Sequence, residues 1–266
     1  MRLKKVFLAS ARMVLVMAIS AIAFKSYSQG GITVYQYRQV QPDKVDEFVK
    51  RETTYWSEVA KKAVTKGNLT FWALLEKVGG FDMANTSNFL FINTFNDIDA
   101  VESVWSSAAV TAAFPNVPMA KIETGSLSKT TAMFFLHDEG FQQSAKAVPD
   151  KDFKYVKFNY ITSSNPGNLI ELEKKHWAPF IKTAMDANQT TQVGWGNARI
   201  LSPLGDNIKA NTISYDLYSS LKEALNTTWD PKTVFPTDGL TEINKLELNR
   251  RGESVYRIIK VVAKQP

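Results

Sequence analysis

Two hydrophobic periodicities alternate along this chain, and the alternation runs through twice. Residues 32–40, with Thr33-Val-Tyr-Gln-Tyr-Arg-Gln-Val40, repeat every second position as a strand with one buried face does. Pro42 and Asp43 then open an amphipathic helix from about Lys44 to Val64, which Lys66-Gly67-Asn68 closes. A strand follows at Leu69 to Val78, a loop at Gly79-Gly80 and Asp82 to Thr86, and a third strand at Asn88 to Phe95. Asp97 or Asp99 can cap a short helix reaching Ala109, another short helix fits near 116–123, and Lys129 to Leu136 reads as the fourth strand. The second pass has a strand at 153–161, a helix at 168–187, strands at 191–201 and 209–217, and a helix at 219–228. It ends with a short helix after Leu240 and a strand at 254–263. Pro179 falls inside the long helix and removes a backbone donor, which predicts a kink near Lys175 to Pro179.

The two passes share residues as well as pattern. Glu52-Thr-Thr-Tyr-Trp56 matches Glu173-Lys-Lys-His-Trp177 at a separation of 121, and Phe114-Pro115 matches Phe235-Pro236 at the same separation. The strand Val34 to Val40 has its counterpart in Tyr155-Val-Lys-Phe-Asn-Tyr-Ile161. The order is β-α-β-β-α-β twice, which makes this an α+β chain of tandem, duplicated ferredoxin-like units. The repeats are expected at 29–145 and 146–266, joined through 138–152. Each antiparallel sheet carries helices on one face, and two such sheets can cover each other's open faces. On these residues the chain resembles the dimeric alpha-beta barrel superfamily, which includes the antibiotic-biosynthesis-type monooxygenases. The resemblance implies a pseudo-dimeric alpha-beta barrel, with packing of two domains without a closed barrel as the alternative.

Ahead of the repeats, Arg2, Lys4 and Lys5 precede Arg12 and the apolar run Met13 to Phe24. A run of 12 residues is too short to cross a hydrocarbon core of roughly 30 Å, and the order is that of a secretory signal peptide over residues 1–28. Cleavage is expected after Ser28, with Ala23 as the alternative, leaving no stable membrane anchor and an exported protein, periplasmic or secreted. This changes the charge argument: the whole chain is +6, but without residues 1–28 it has 27 basic and 26 acidic residues. A nearly neutral chain gives no reason to expect a nucleic-acid partner. There is no cysteine, which excludes disulfides, thiol catalysis and thiolate-bound metal. The two histidines have no zinc-site spacing, and no metal is expected.

The candidate chemistry lies on the two long helices. Val45, Phe48, Val59 and Ala63 form a core stripe that also contains Glu52, one turn before Trp56, with Tyr55 beside it. In the second helix Leu169, Leu172, His176, Phe180 and Ala184 form the stripe, with Glu173 and Trp177 on its border. A carboxylate facing an apolar interior must be hydrogen-bonded or shift its pKa, so it is either a structural group, a ligand contact or a general base. The leading expectation is a small-molecule-binding protein with a pocket between sheet and helix in the second half. Its lining would be Glu173, His176, Trp177, Phe180 and Trp195, suited to a small hydrophobic or aromatic molecule. Gly194-Trp-Gly196 permits either a bulge or close approach of a ligand to the backbone. The resemblance implies an alternative: a cofactor-independent oxygenase, or a haem-binding or haem-degrading enzyme, with His176 as base or iron ligand and Glu173 as its partner. A structural or protein-interaction module is the third reading. Fused halves can complete a barrel as a monomer without excluding a homodimer. His137, beside Asp138 and Glu139, is expected at the solvated end of a strand.

Overall fold

The computed structural model describes residues 31–80, 87–204 and 210–264. The signal peptide expected at 1–28 lies outside the described residues. Eight antiparallel strands close into a barrel: β1 (Ile32–Val40), β2 (Leu69–Gly80), β3 (Phe89–Phe95), β4 (Ser128–Gln143), β5 (Tyr155–Ser163), β6 (Gly194–Ser202), β7 (Thr212–Tyr218) and β8 (Glu247–Ala263). Around the barrel they run β1-β3-β2-β8-β5-β7-β6-β4. Long helices α1 (45–66) and α5 (166–186) pack outside it. The smaller helices are α2 (Val101–Val104), α3 (Ser107–Ala113), α4 (Pro149–Asp152), α6 (Leu221–Leu225) and α7 (Thr237–Leu246). Two ferredoxin-like halves therefore make one closed barrel, and packing without closure is excluded.

Strands β4 and β8 are longer than their sequence pattern predicts, and the extra length joins the halves. β4 pairs with β1 of its own half and with β6 of the other, while β8 pairs with β5 and with β2. The first residues of the expected linker, 138–143, are therefore barrel strand. Alternate residues point inward, and Tyr35, Leu75, Leu90, Leu136, Phe158 and Ile213 belong to one apolar cluster that fills the interior. At its centre Tyr37 and Tyr160 meet with hydroxyl oxygens 2.6 Å apart.

The duplication appears in local geometry as well as topology. The side chain of Asn88 bonds both backbone groups of Val40, at 2.8 and 2.9 Å, and Asn211 does the same to Ser163, at 2.9 Å in each bond. Gly67 and Asn188, which end the two long helices, are both left-handed, with φ of 81° and 54°. Trp56 and Trp105 have ring centroids 6.1 Å apart; Trp177 and Trp229 repeat the contact at 6.2 Å.

Both long helices contain a π turn at the repeated pentapeptide, Glu52–Trp56 in α1 and Glu173–Trp177 in α5. Only α5 has a proline nearby, so the irregularity expected from Pro179 belongs to the repeat and does not depend on proline. A π turn widens the helix locally and shifts the phase of the residues that follow. The core face of α5 consequently continues from Glu173 through Ala178, Ile181 and Met185, and the predicted stripe through His176 and Phe180 is displaced.

Candidate functional site

The outward faces of the two half-sheets differ in chemistry where the long helices cover them. Under α1 the layer is mainly hydrocarbon, with Phe48, Trp72, Leu74, Phe89 and Phe91 all buried, beside the buried polar side chains Glu52, Asn93 and Thr124. Under α5 the equivalent layer holds buried polar side chains. Asn197 on β6, 1% exposed, donates through Nδ2 to Glu173 Oε2 at 2.7 Å. Asn159 on β5 donates to Asp216 Oδ2 at 3.2 Å, and Gln192 Nε2 donates to the other Asp216 oxygen. Asn159, Gln192 and Ser214 are buried. Desolvating so many amides and carboxyls is unfavourable compared with the mainly hydrocarbon layer of the first half, and sites of function are where such a cost is retained. The carbonyl oxygen of Asn197 is buried and accepts no hydrogen bond. Gly140, on the bulged part of β4, lies beside it: a Cβ there would stand 3.1 Å from that oxygen.

Three of the residues expected in the second-half pocket come together, and Glu173 lies nearby, on Asn197 of the same strand as Trp195. Trp195, two residues along β6 from Asn197, packs with Ala178, Ile181 and Met185, and Trp177 and Phe180 adjoin this cluster. Trp177 and Phe180 are in ring contact at 5.1 Å. His176 does not join them. Its Nε2 stands 3.7 Å from Glu242 on α7, and its ring lies so close to Gly239 that a Cβ there would meet Cγ at 2.5 Å. The π turn accounts for this correction, because it puts Glu173 toward the sheet and His176 toward α7.

The glycines around Trp195 also have a different role from the expected one. A Cβ on Gly196 would lie 2.3 Å from the Tyr215 ring, and one on Gly194 would lie 2.8 Å from Leu217, so both make room for side chains filling the barrel. His137, expected at a solvated strand end, is partly exposed within β4, and its neighbour Asp138 is buried against the barrel interior, where it accepts the Thr33 hydroxyl and where burial raises its pKa. Glu139 projects toward α5, taking Lys174 Nζ at 3.0 Å, with His137 Nδ1 at 3.3 Å.

In the first half Glu52, Tyr55 and Trp56 form the corresponding but sealed arrangement. Trp56 Nε1 donates to Ile122 O at 3.0 Å, Tyr55 packs edge-on to Phe114, and Thr124 donates to Glu52 Oε1 at 2.6 Å. Burial raises the Glu52 pKa from 4.5 to about 7, with the Thr124 hydroxyl and the Arg38 charge opposing the rise. Sequence reasoning missed Asn197, Asn159 and Arg38. Asn197 had a signal, since it shares the outward parity of Trp195.

No family model matches the chain, and no curated protein matches it in sequence. Solved structures do match its fold. A protein assigned as a monooxygenase from Lactobacillus acidophilus NCFM superposes with a TM-score of 0.55 at 11% identity, over 88% of this chain and 95% of that one. The chain has the fold of these alpha-beta barrels, built from two halves of one chain. An anthrone oxidase-like protein gives a TM-score of 0.52 at 13% identity, with 88% of this barrel and 93% of that chain covered. A protein assigned as a monooxygenase from Fusobacterium nucleatum gives 0.52 at 12%, covering 90% and 96%. At these identities the likeness establishes the architecture of the barrel.

Proposed function

We propose that this barrel is an exported catalyst that oxidises a small aromatic molecule with dioxygen, in the layer between α5 and the second half-sheet. The observation that carries this reading is the buried Glu173–Asn197 pair, in a layer richer in buried amides than the mainly hydrocarbon layer of the first half. Glu173 would act as general base, taking a proton from an activated C–H of an anthrone-type substrate. Asn197 keeps the carboxylate oriented through Nδ2 and offers its carbonyl oxygen to a hydroxyl of the ligand. The carbanion reduces dioxygen and forms a C–O bond, giving a hydroperoxide. Loss of water then leaves the ketone, so that CH2 and O2 become C=O and H2O. Trp177, Trp195 and Phe180 supply aromatic surface against which a planar substrate can stack. The names of the structural neighbours, an anthrone oxidase-like protein among them, support oxidation over simple retention of a ligand.

Haem is the cofactor the resemblance implies as an alternative, with His176 as iron ligand. In this packing His176 is committed to α7, with Nε2 toward Glu242 and its ring on Gly239, and it does not fit an axial ligand. A haem titration producing a Soret band that disappears in His176→Ala would overturn that assignment.

Oxygen uptake with anthrone as probe tests the main reading. We expect Glu173→Gln to lower kcat by at least about a hundredfold, the scale of a general-base contribution, with His176→Ala close to the parent. Equal loss in both variants, or no uptake by the parent, would overturn it. Export is tested by N-terminal sequencing of protein from the producing cell, for which a start at Gln29 is expected and an intact Met1 would reject processing.

A further inference from the structure

Next to Glu173 in sequence stands a lysine that reaches from α5 to the other half of the barrel. Lys174 Nζ donates to Glu139 Oε2 at 3.0 Å, and Glu139 belongs to β4, a strand of the first repeat. Glu139 is the extra residue of the β4 bulge: Asp138 pairs with Ala198 and Gly140 with Asn197, and the carboxylate between them is aimed at α5. Its side chain is 13% exposed and draws in two more basic groups, His137 Nδ1 at 3.3 Å and Arg199 at 3.5 Å. Burial pushes the Glu139 carboxyl up, but Lys174, His137 and Arg199 together outweigh it and hold it below the usual carboxylate range. The remaining charges around the π turn are engaged in their own contacts. Exposed Glu171 stands 3.3 Å from Lys174, Glu242 on α7 faces His176, and Asp216 on β7 accepts from Asn159 and Gln192.

The first half puts an intrahelical bond where the second has this bridge. In the repeated pentapeptide Lys174 corresponds to Thr53, whose hydroxyl turns back to Val49 O of its own helix at 2.7 Å. The bridge thus occurs in the half whose π turn hands its glutamate to a sheet amide. It also ties that turn to the bulge carrying Gly140, which lies beside the Asn197 carbonyl. We propose that Glu139 is a positioning residue for the oxidation, a role that rests on Glu173 being the base: through Lys174 it fixes the π turn so that Glu173 stays on Asn197, and it balances the lysine charge beside that base. A strand of the first repeat thereby completes the site of the second. An ion pair as accessible as this one adds little to global stability, so its effect is local.

Oxygen uptake with anthrone by the processed full-length protein, followed across pH, tests this role. Glu139→Gln should lower kcat about tenfold with KM within about twofold of the parent, as expected for a base held slightly out of place. It should also move the acid limb of the kcat profile to lower pH, because the unbalanced lysine charge favours an ionised neighbour. Lys174→Met should lower kcat too, but move that limb to higher pH, since the carboxylate is then the unbalanced charge. Opposite shifts from the two ends of one contact are not produced by a general loosening of the fold. Lys174→Arg, which keeps the charge and the reach, should stay near the parent. An unchanged kcat and profile in Glu139→Gln, or shifts of one sign in both variants, would overturn the role of Glu139 while a loss in Glu173→Gln leaves the base in place. A parent without uptake, or a Glu173→Gln variant as active as the parent, would overturn the base and this role with it. Should Glu139→Gln fail to fold, Lys174→Met reads the same contact from the helix, and an unmoved profile there is decisive against the role.

Discussion

At Glu52 burial raises the carboxyl pKa from 4.5 to about 7, and stability should follow. Below 4.5 the side chain is protonated in both folded and unfolded chains, so its contribution is fully present. As pH rises from 4.5 through about 7 the unfolded chain releases its proton first, and stability is lost. The loss amounts to at most about 3.5 kcal/mol above the folded pKa, taking about 1.4 kcal/mol per pKa unit. Glu52→Gln cannot ionise, so denaturant midpoints should show it gaining on the parent as pH increases. A gap that narrows toward alkaline pH would refute the assignment. Gly196→Ala makes a steric test of the barrel interior. The new Cβ would meet the Tyr215 ring at 2.3 Å, and the expected destabilisation is about 1–3 kcal/mol, read from urea unfolding. Single-residue chemistry was only partly legible in the sequence. Glu52 and Glu173 stood out because a carboxylate on an apolar stripe is anomalous. Arg38 and Asn197 looked like ordinary polar members of alternating strands, and only the third dimension brings them to the helices.

At the scale of elements, the two π turns decide which side chains face the sheet. Periodicity located both long helices but assumed a uniform pitch, and it therefore misplaced His176. The turn is a one-residue expansion, so deleting exposed Lys175 should restore α-helical pitch while leaving both ends of α5 in register. The expected outcome is a folded protein with near-parent helical circular dichroism in which Glu173 no longer reaches Asn197 and oxygen uptake is lost. Retained uptake would show that the π turn does not present the carboxylate. Gly239→Ala addresses α7 separately: its Cβ would collide with His176, so α7 should loosen and become more susceptible to proteolysis without loss of the Glu173–Asn197 contact.

For the whole molecule, the repeat was legible because three sequence matches kept one order, whereas closure depended on strand length. The pattern for β4 faded at Asp138-Glu139-Gly140, where a bulge breaks the alternation, and with it went the evidence that this strand crosses into the other half. Because β4 and β8 each pair with both halves, neither half should fold independently. Fragments 29–145 and 146–266, expressed apart, should be largely unfolded or self-associated, and mixing them should recover a one-to-one complex on size-exclusion chromatography; two stable monomers would contradict this account of the seam. The central contact between Tyr37 and Tyr160 shows what fusion has changed. In a symmetric pair of identical subunits, one gene position supplies both partners of such a contact, so every substitution strikes twice and must be compatible with its own copy. Here the two tyrosines have separate codons, and each side of the seam can change alone. That independence allows one half to serve as scaffold while its twin specialises.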